Sequence, residues 1–481
     1  MIKHLLHITA VALITFSFVS CKDDKYSTSS DAMLQFSKDT LTFDTIFTSI
    51  GSTTRHFAVY NPYDENILIS RIRMVNADNS SFKLNVNGIS GNEVYKVEIP
   101  SKDSILVFVE ATINPNEQNS PMIVKNSIEF TTNSNVQNVS LIAYGQNFKL
   151  VRGEIINNTT WTSEKPYLVY DYVQVYAAST LTIEPGTKIY FHKDAAMHVR
   201  GTVIADGTFE EPIYFLPDRL ESTYENIPDQ WNGIVLYSSS HDNIFNFVTI
   251  KNANIGIQVG NIENEGSATT RITNSHIENM AYAGLFALKS KIYSYNNVIA
   301  NCGLYAVALL VGGEYEFYHT TIANYWGNYS LKTRSTASLV ISNLLKVSTS
   351  NGDSKLYTND LTKAVFVNCI VYGSNTTEVE LAKNSEKEFN YFFDHCILKV
   401  PETFNTSNKN NYNKVWKSAS FDPLFIDPYE KYNYALDSLS PARNIGSSEY
   451  AKNIPLDIIN NSRLDDEGPD LGAYEWIKKK N

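Results

Sequence analysis

Between residues 32 and 147, apolar and polar positions alternate in short runs: Leu41-Thr42-Phe43, His56-Phe57-Ala58-Val59-Tyr60, Ile67-Leu68-Ile69, Phe82-Lys83-Leu84-Asn85-Val86, Ile105-Leu106-Val107-Phe108-Val109, Ile128-Glu129-Phe130 and Val139-Ser140-Leu141-Ile142. A period of two is that of a half-buried strand, whose side chains point alternately to its two faces. Asn61-Pro62 and Asn114-Pro115 are turn signals between runs. Seven short strands with no helical period predict a β-sandwich.

From residue 150 the pattern becomes a repeat. Ile250-Lys251-Asn252, Ile277-Glu278-Asn279, Ile299-Ala300-Asn301 and Ile322-Ala323-Asn324 recur at intervals of 27, 22 and 23 residues. A strand-plus-turn unit of that length cannot bury its own apolar face, so it stacks on its neighbours as a solenoid. The isoleucine faces inward. The asparagine tolerates the left-handed backbone of a sharp corner, and Asn252, Asn279, Asn301 and Asn324 are predicted to bond up the solenoid as a ladder. Leu344, Ile370 and Ile397 are read as later inward positions, with Lys346, Tyr372 and Lys399 where the asparagine stood. The chain therefore reads as all-β: a sandwich over 32–147, a solenoid over 150–420 and a closing segment over 421–481.

The first residues are not part of this pattern. Lys3 and His4 precede an apolar stretch from Leu5 to Val19, which is too short to cross a bilayer and reads as a secretory signal. Phe18-Val19-Ser20-Cys21 resembles a lipobox, which implies lipidation of Cys21 after cleavage of 1–21. Lys22-Asp23-Asp24 resembles the export tag of Bacteroidota-type surface lipoproteins, and the polar residues 22–31 suit a tether. Together these imply a lipid-anchored outer-membrane protein facing the cell exterior, with the membrane as a partner through its N-terminal lipid. The mature cysteines, Cys302, Cys369 and Cys396, are odd in number, which argues against a disulfide framework.

Two further resemblances rest on particular residues. Phe57-Ala58-Val59-Tyr60-Asn61, the strand from Ile105 to Ala111 ahead of Asn114-Pro115, and Ala143-Tyr144-Gly145 resemble Ig-like domains of the ASPM/SPD-2/Hydin type, which implies a spacer or docking module. Leu181-Thr182-Ile183-Glu184-Pro185-Gly186, Trp231-Asn232-Gly233 and the repeated coils resemble right-handed parallel β-helix proteins of the pectate-lyase-like superfamily. Phe421-Asp422-Pro423-Leu424-Phe425, Ser440-Pro441-Ala442 and Asp470-Leu471-Gly472-Ala473-Tyr474-Glu475 are similar to the closing segment of such proteins, read here as a cap over the open solenoid end. Arg443-Asn444-Ile445 stands where that family usually carries an acid.

The 481-residue chain carries a formal net charge of −11, which argues against a nucleic-acid partner. Its 30 tyrosines and 24 phenylalanines provide rings for packing or for sugar stacking. A polysaccharide is therefore the partner class considered, with another envelope component as the alternative.

Catalytic signatures are weak. Glycoside hydrolysis needs two carboxylates across a groove. Glu378-x-Glu380 and Glu386-x-Glu388 read more simply as solvated strand faces. A polysaccharide lyase of this fold needs a basic residue, often with Ca²⁺. Lys289 and Arg334 share an offset from Asn279 and Asn324, and Lys332 lies two residues before Arg334, giving a candidate basic strip. No metal-ligand spacing accompanies it, so no metal or cofactor is called, and Ca²⁺ enters only with the lyase reading. His192 and His198 read as structural. Tyr293, Tyr295, Tyr315, Phe317 and Tyr318 form the candidate ligand platform. The leading reading is a non-catalytic surface lipoprotein that binds glycan or another envelope component. A lyase or glycoside hydrolase is the alternative, and a structural adhesin-like protein the second.

Overall fold

A computed structural model describes residues 25–78, 80–116, 122–262, 266–327, 334–348, 352–417 and 421–478. The leader, Cys21 and Lys332 lie outside the described residues. The chain divides into two compact units, Met1–Asn147 and Phe148–Asn481. No helix among the described residues is long and apolar enough to cross a membrane.

The first unit holds two five-stranded sheets around one core. All seven predicted runs are strands, and Gln35–Phe36, Ile89–Ser90 and Glu93–Ile99 complete the sheets. Glu93–Ile99 escapes the alternating pattern because Lys96, at φ 54°, offsets its parity. Phe43, Phe57, Phe82 and Phe130 fill the core from both sheets.

The second unit is a 24-stranded sheet wound into a parallel β-helix. Each regular coil visits three ladders. The first contains Val248–Lys251, His276–Met280, Val298–Cys302 and Thr321–Asn324. The long strands Ala283–Tyr295 and Tyr305–Tyr318 bend at Lys289 and Val311, at φ 46° and 59°, and so serve both the second and the third ladder. Asn252, Asn279 and Asn301 turn the chain from the first ladder to the second at φ 63°, 63° and 53°. Asn279 Nδ2 donates to Asn252 Oδ1 at 2.5 Å, and Asn301 Nδ2 donates to Asn279 Oδ1 at 3.0 Å. Asn324 leaves this ladder: its Nδ2 donates to the Cys302 carbonyl, and its Oδ1 accepts from the Cys302 amide.

A second asparagine ladder turns the chain from the third sheet back to the first. Asn274 Nδ2 donates to Asn246 Oδ1 at 2.8 Å, and Asn296 Nδ2 to Asn274 Oδ1 at 3.0 Å. His319, Asn368 and His395 continue this corner with positive φ.

Ile250, Ile277, Ile299 and Ile322 are fully buried in the solenoid core. The later positions differ from expectation. Thr321 pairs with Ile370 and Ile322 with Val371, so Val371 and Leu398 carry the core while Ile370 and Ile397 face outward. A slip of one residue in register inverts every side chain of a strand. Leu344 is not a coil position either: Leu344–Ser348 pairs antiparallel with Ser354–Thr358 as a hairpin. Leu345 and Tyr357 of that hairpin pack on the outer side of the second sheet, against a cluster holding Leu310 and Val340. Cys302, Cys369 and Cys396 are free, buried thiols.

The segment read as an end cap runs back along the solenoid's flank. Phe421 packs on Trp416 of the last strand at 6.0 Å. Phe425, Tyr434, Leu436, Leu471 and Ala473 then bury Val298, Ala300, Ala323, Ile370 and Ile397. Apart from Thr321, which accepts from the Ala473 amide, these outer positions of the first sheet are apolar from Val298 onward, and removing them from water is what draws the segment there.

Candidate functional site

The outer side of the third sheet gathers polar and aromatic side chains at aligned positions. Arg271, Tyr293 and Glu316 form one column, Thr269, Lys291 and Glu314 a second, and Thr273, Tyr295 and Tyr318 a third. Neighbouring strands lie about 4.8 Å apart, so each column is a close stack. Asp242, Thr269, Arg271, Lys291, Tyr293, Glu314 and Glu316 line a shallow groove of about 420 Å³.

The charges on this face are largely paired. Lys291 Nζ lies 3.0 Å from Glu314, and Lys363 Nζ 2.7 Å from Glu316. The Tyr318 hydroxyl donates to Glu316 at 2.6 Å. Burial works to raise the Glu316 carboxyl, but the bonds from Lys363 and Tyr318 outweigh it and hold the group below the usual range. Burial, and then Tyr295 and Glu316, push the Tyr293 hydroxyl up. Tyr293 is 40% exposed and presents its ring beside the paired charges. The face therefore offers ionised acceptors, ammonium donors and an aromatic surface. An acid catalyst needs a carboxyl held protonated, the reverse of what Lys363 and Tyr318 do to Glu316.

The sequence candidates separate by orientation. Tyr293, Tyr295 and Tyr318 point outward on this face, whereas Tyr315 and Phe317 point into the core and cannot meet a ligand. Phe317 stacks on Phe366 at 4.9 Å, and the Tyr315 hydroxyl donates to the Gly312 carbonyl. Of the candidate basic strip, the two described members, Lys289 and Arg334, do not share an outward face. Lys289 sits at the corner between the second and third sheets. Arg334 is fully buried against Glu378. Glu378 is thus not a solvated acid: it also accepts from the amide and hydroxyl of Ser338 and from the Asn375 amide. Lys332 falls outside the described residues.

Arg271, Lys291, Glu314, Glu316 and Lys363 were not singled out from the sequence. The available signal was Glu314-x-Glu316, two acids on one strand face. His192 and His198 point from different sheets. His192 Nδ1 bonds Asp218 at 2.7 Å and its ring stacks on Tyr170, while His198 packs between Tyr172 and Tyr237. Among the described residues no group of three or more His, Cys, Asp or Glu could hold a metal ion.

No protein-family model and no curated protein matches the chain. Among solved structures, a GH87 alpha-1,3-glucanase catalytic unit from Streptomyces thermodiastaticus is similar over 76% of this chain and 89% of its own, at 9% identity and TM-score 0.21. The ASH / PapD-like domain of human CEP192 is similar over 24% of this chain and 84% of its own, at 10% identity and TM-score 0.17. A family 123 glycoside hydrolase from Clostridium perfringens matches 23% of this chain, which spans a quarter of that protein's length, at 10% identity and TM-score 0.17. Likeness at this level assigns neither a family nor an activity.

Proposed function

We propose that this protein binds a neutral polysaccharide on the outer face of the third sheet. Lipid at Cys21 would hold it on the outer membrane, facing the cell exterior, and the N-terminal sandwich would act as an Ig-like spacer. The observation that carries the reading is Tyr293, an exposed ring flanked by the Lys291–Glu314 and Lys363–Glu316 pairs. Sugars are recognised in this way: a ring face stacks on an aromatic, and hydroxyls find donors and acceptors whose charges already balance. The test is retention of the chain on a panel of neutral and acidic polysaccharides. Tyr293→Ala should weaken binding to the retained glycan about tenfold, or about 1.4 kcal/mol. Undiminished binding by that variant would overturn the reading. Loss of membrane partitioning in Cys21→Ala tests the anchor.

A hydrolase is the second reading, favoured by Glu314 and Glu316 on one side of one strand. Glu316, held ionised by Lys363 and Tyr318, would serve there as base or nucleophile and not as the acid. New reducing ends formed by the wild-type chain and lost in Glu316→Gln would establish it.

A further inference from the structure

The outer side of the first sheet changes character at one coil. One column of outward positions runs Lys188, Tyr214, Thr249, His276 and then Val298. The column beside it places Lys251 next to Glu278, followed by Ala300 and Ala323. From Val298 and Ala300 onward the surface is mostly apolar, with Thr321 bonding the Ala473 amide, and is buried by the C-terminal segment. Before them it carries Lys188, Tyr214, Lys251, His276 and Glu278 with Thr249 and Leu216 among them, and none of these belongs to the apolar clusters of the core or the flank.

Two insertions border this polar stretch. Residues 219–230 lie beside it, with Lys251 Nζ donating to Asn226 Oδ1 at 3.4 Å and Trp231 Nε1 to the Lys251 carbonyl. The C-terminal segment closes the other end, where the Asn296 side chain donates to the Leu456 carbonyl and accepts from Arg463. On the floor, His276 Nδ1 and Glu278 Oε1 are 3.1 Å apart, with 31% and 12% of their side chains exposed. Burial works to raise the Glu278 carboxyl, but His276 and Lys251 outweigh it and keep it ionised. The Tyr434 hydroxyl, in a side chain 1% exposed, has no hydrogen-bond partner among the described residues, and the Glu278 charge reaches it.

We propose that this stretch is a second glycan-contact site, formed by Tyr214, Lys251, His276 and Glu278, for a neutral, hydroxyl-rich sugar chain. The ionised carboxylate accepts from sugar hydroxyls, the ammonium donates to them, the imidazole Nε2 accepts while Nδ1 is held by Glu278, and the tyrosine ring provides a stacking surface. The site shares its ligand class with the third-sheet face but none of its residues, so the chain carries two sites and gains avidity for a long glycan.

The test is calorimetric titration of the purified full chain with cellohexaose, laminarihexaose and maltohexaose. Two sites per chain are expected for at least one of them. Tyr214→Ala should abolish or weaken one site at least tenfold and leave the other, while Tyr293→Ala does the converse. Lys251→Gln repeats the test should Tyr214→Ala lower the melting temperature. A single site lost only in Tyr214→Ala or Lys251→Gln would sustain this proposal and overturn the third-sheet reading. A single site lost only in Tyr293→Ala would do the opposite, and no binding to any of the three would overturn both.

Discussion

Arg334 and Glu378 bind each other through both guanidinium arms, at 2.8 Å and 2.5 Å, with neither side chain reaching solvent. The carboxylate is further bonded by Ser338 and Asn375, and the guanidinium by the carbonyls of Asn324 and Thr336. Removing one member leaves a buried charge without its counterion, which costs about 3–5 kcal/mol. Arg334→Ala should therefore lower unfolding stability by that amount in a denaturant titration, and glycan binding by the fraction still folded should not change. A catalytic arginine would show the reverse: activity lost, stability kept.

The asparagine ladder separates backbone strain from hydrogen bonding at one position. Asn279 donates to Asn252, accepts from Asn301 and holds φ 63°. Two lost bonds cost about 1 kcal/mol each, and a left-handed alanine adds about 1–2 kcal/mol. Asn279→Gly should cost about 2 kcal/mol and Asn279→Ala about 3 or more, measured by chemical unfolding. Equal losses would show that the corner imposes no conformational strain.

Much of this architecture was legible because one residue type met one local requirement. The recurring Ile-x-Asn set an inward apolar position beside a left-handed corner, and the structure builds both at Asn252, Asn279 and Asn301, while Asn324 keeps only the inward isoleucine before it. The bends at Lys289 and Val311 were not legible, since neither residue favours positive φ and only the closed coil forces them there. Parity misled at the candidate site. The bend at Val311 sets which side Tyr315 faces, and without it Tyr315 and Phe317 could not be told from the outward Tyr293 and Tyr318. Arg334 looked available because its partner lies 44 residues further on.

His319 makes stability depend on pH. It is fully buried, and burial, then the Arg463 charge, depress its pKa well below 6.5. Its Nε2 faces the Asn368 amide nitrogen at 3.1 Å, so the neutral ring accepts that bond. Below pH 6.5 the unfolded chain binds a proton that the folded chain refuses, so stability falls as pH falls, by up to about 1.4 kcal/mol per unit. Asn already occupies the equivalent corner at Asn296 and Asn368, with φ 53° and 54° against 45° at His319. His319→Asn should therefore fold and should lose less stability than wild type between pH 6.5 and 5. Asp470, pushed up to about 6 by burial, titrates in the same range with the opposite sign, so the informative quantity is the difference between the two chains. Parallel pH profiles would show that His319 is not the acid-sensitive group.

At Gly472 the C-terminal segment lies directly against the solenoid. The glycine holds φ 86°, and a Cβ there would lie 2.5 Å from Thr321 Oγ1 and 3.0 Å from Ile370 Cδ1. Its amide donates to the Asn368 carbonyl and the next amide, of Ala473, to Thr321 Oγ1, so the backbone cannot retreat without losing both bonds. Gly472→Ala combines steric overlap with a left-handed alanine and should cost about 2–4 kcal/mol, concentrated in the docking of the segment. Lifting the segment uncovers Val298, Ala300, Ile370 and Ile397. The variant should therefore bind a hydrophobic dye and be cleaved by protease between residues 421 and 476 at temperatures where the wild type resists both, while the coils before Val248 keep their protection from hydrogen exchange. If dye binding, proteolysis and global unfolding instead set in together, the segment and the solenoid form one cooperative unit and the flank is not a separable cover.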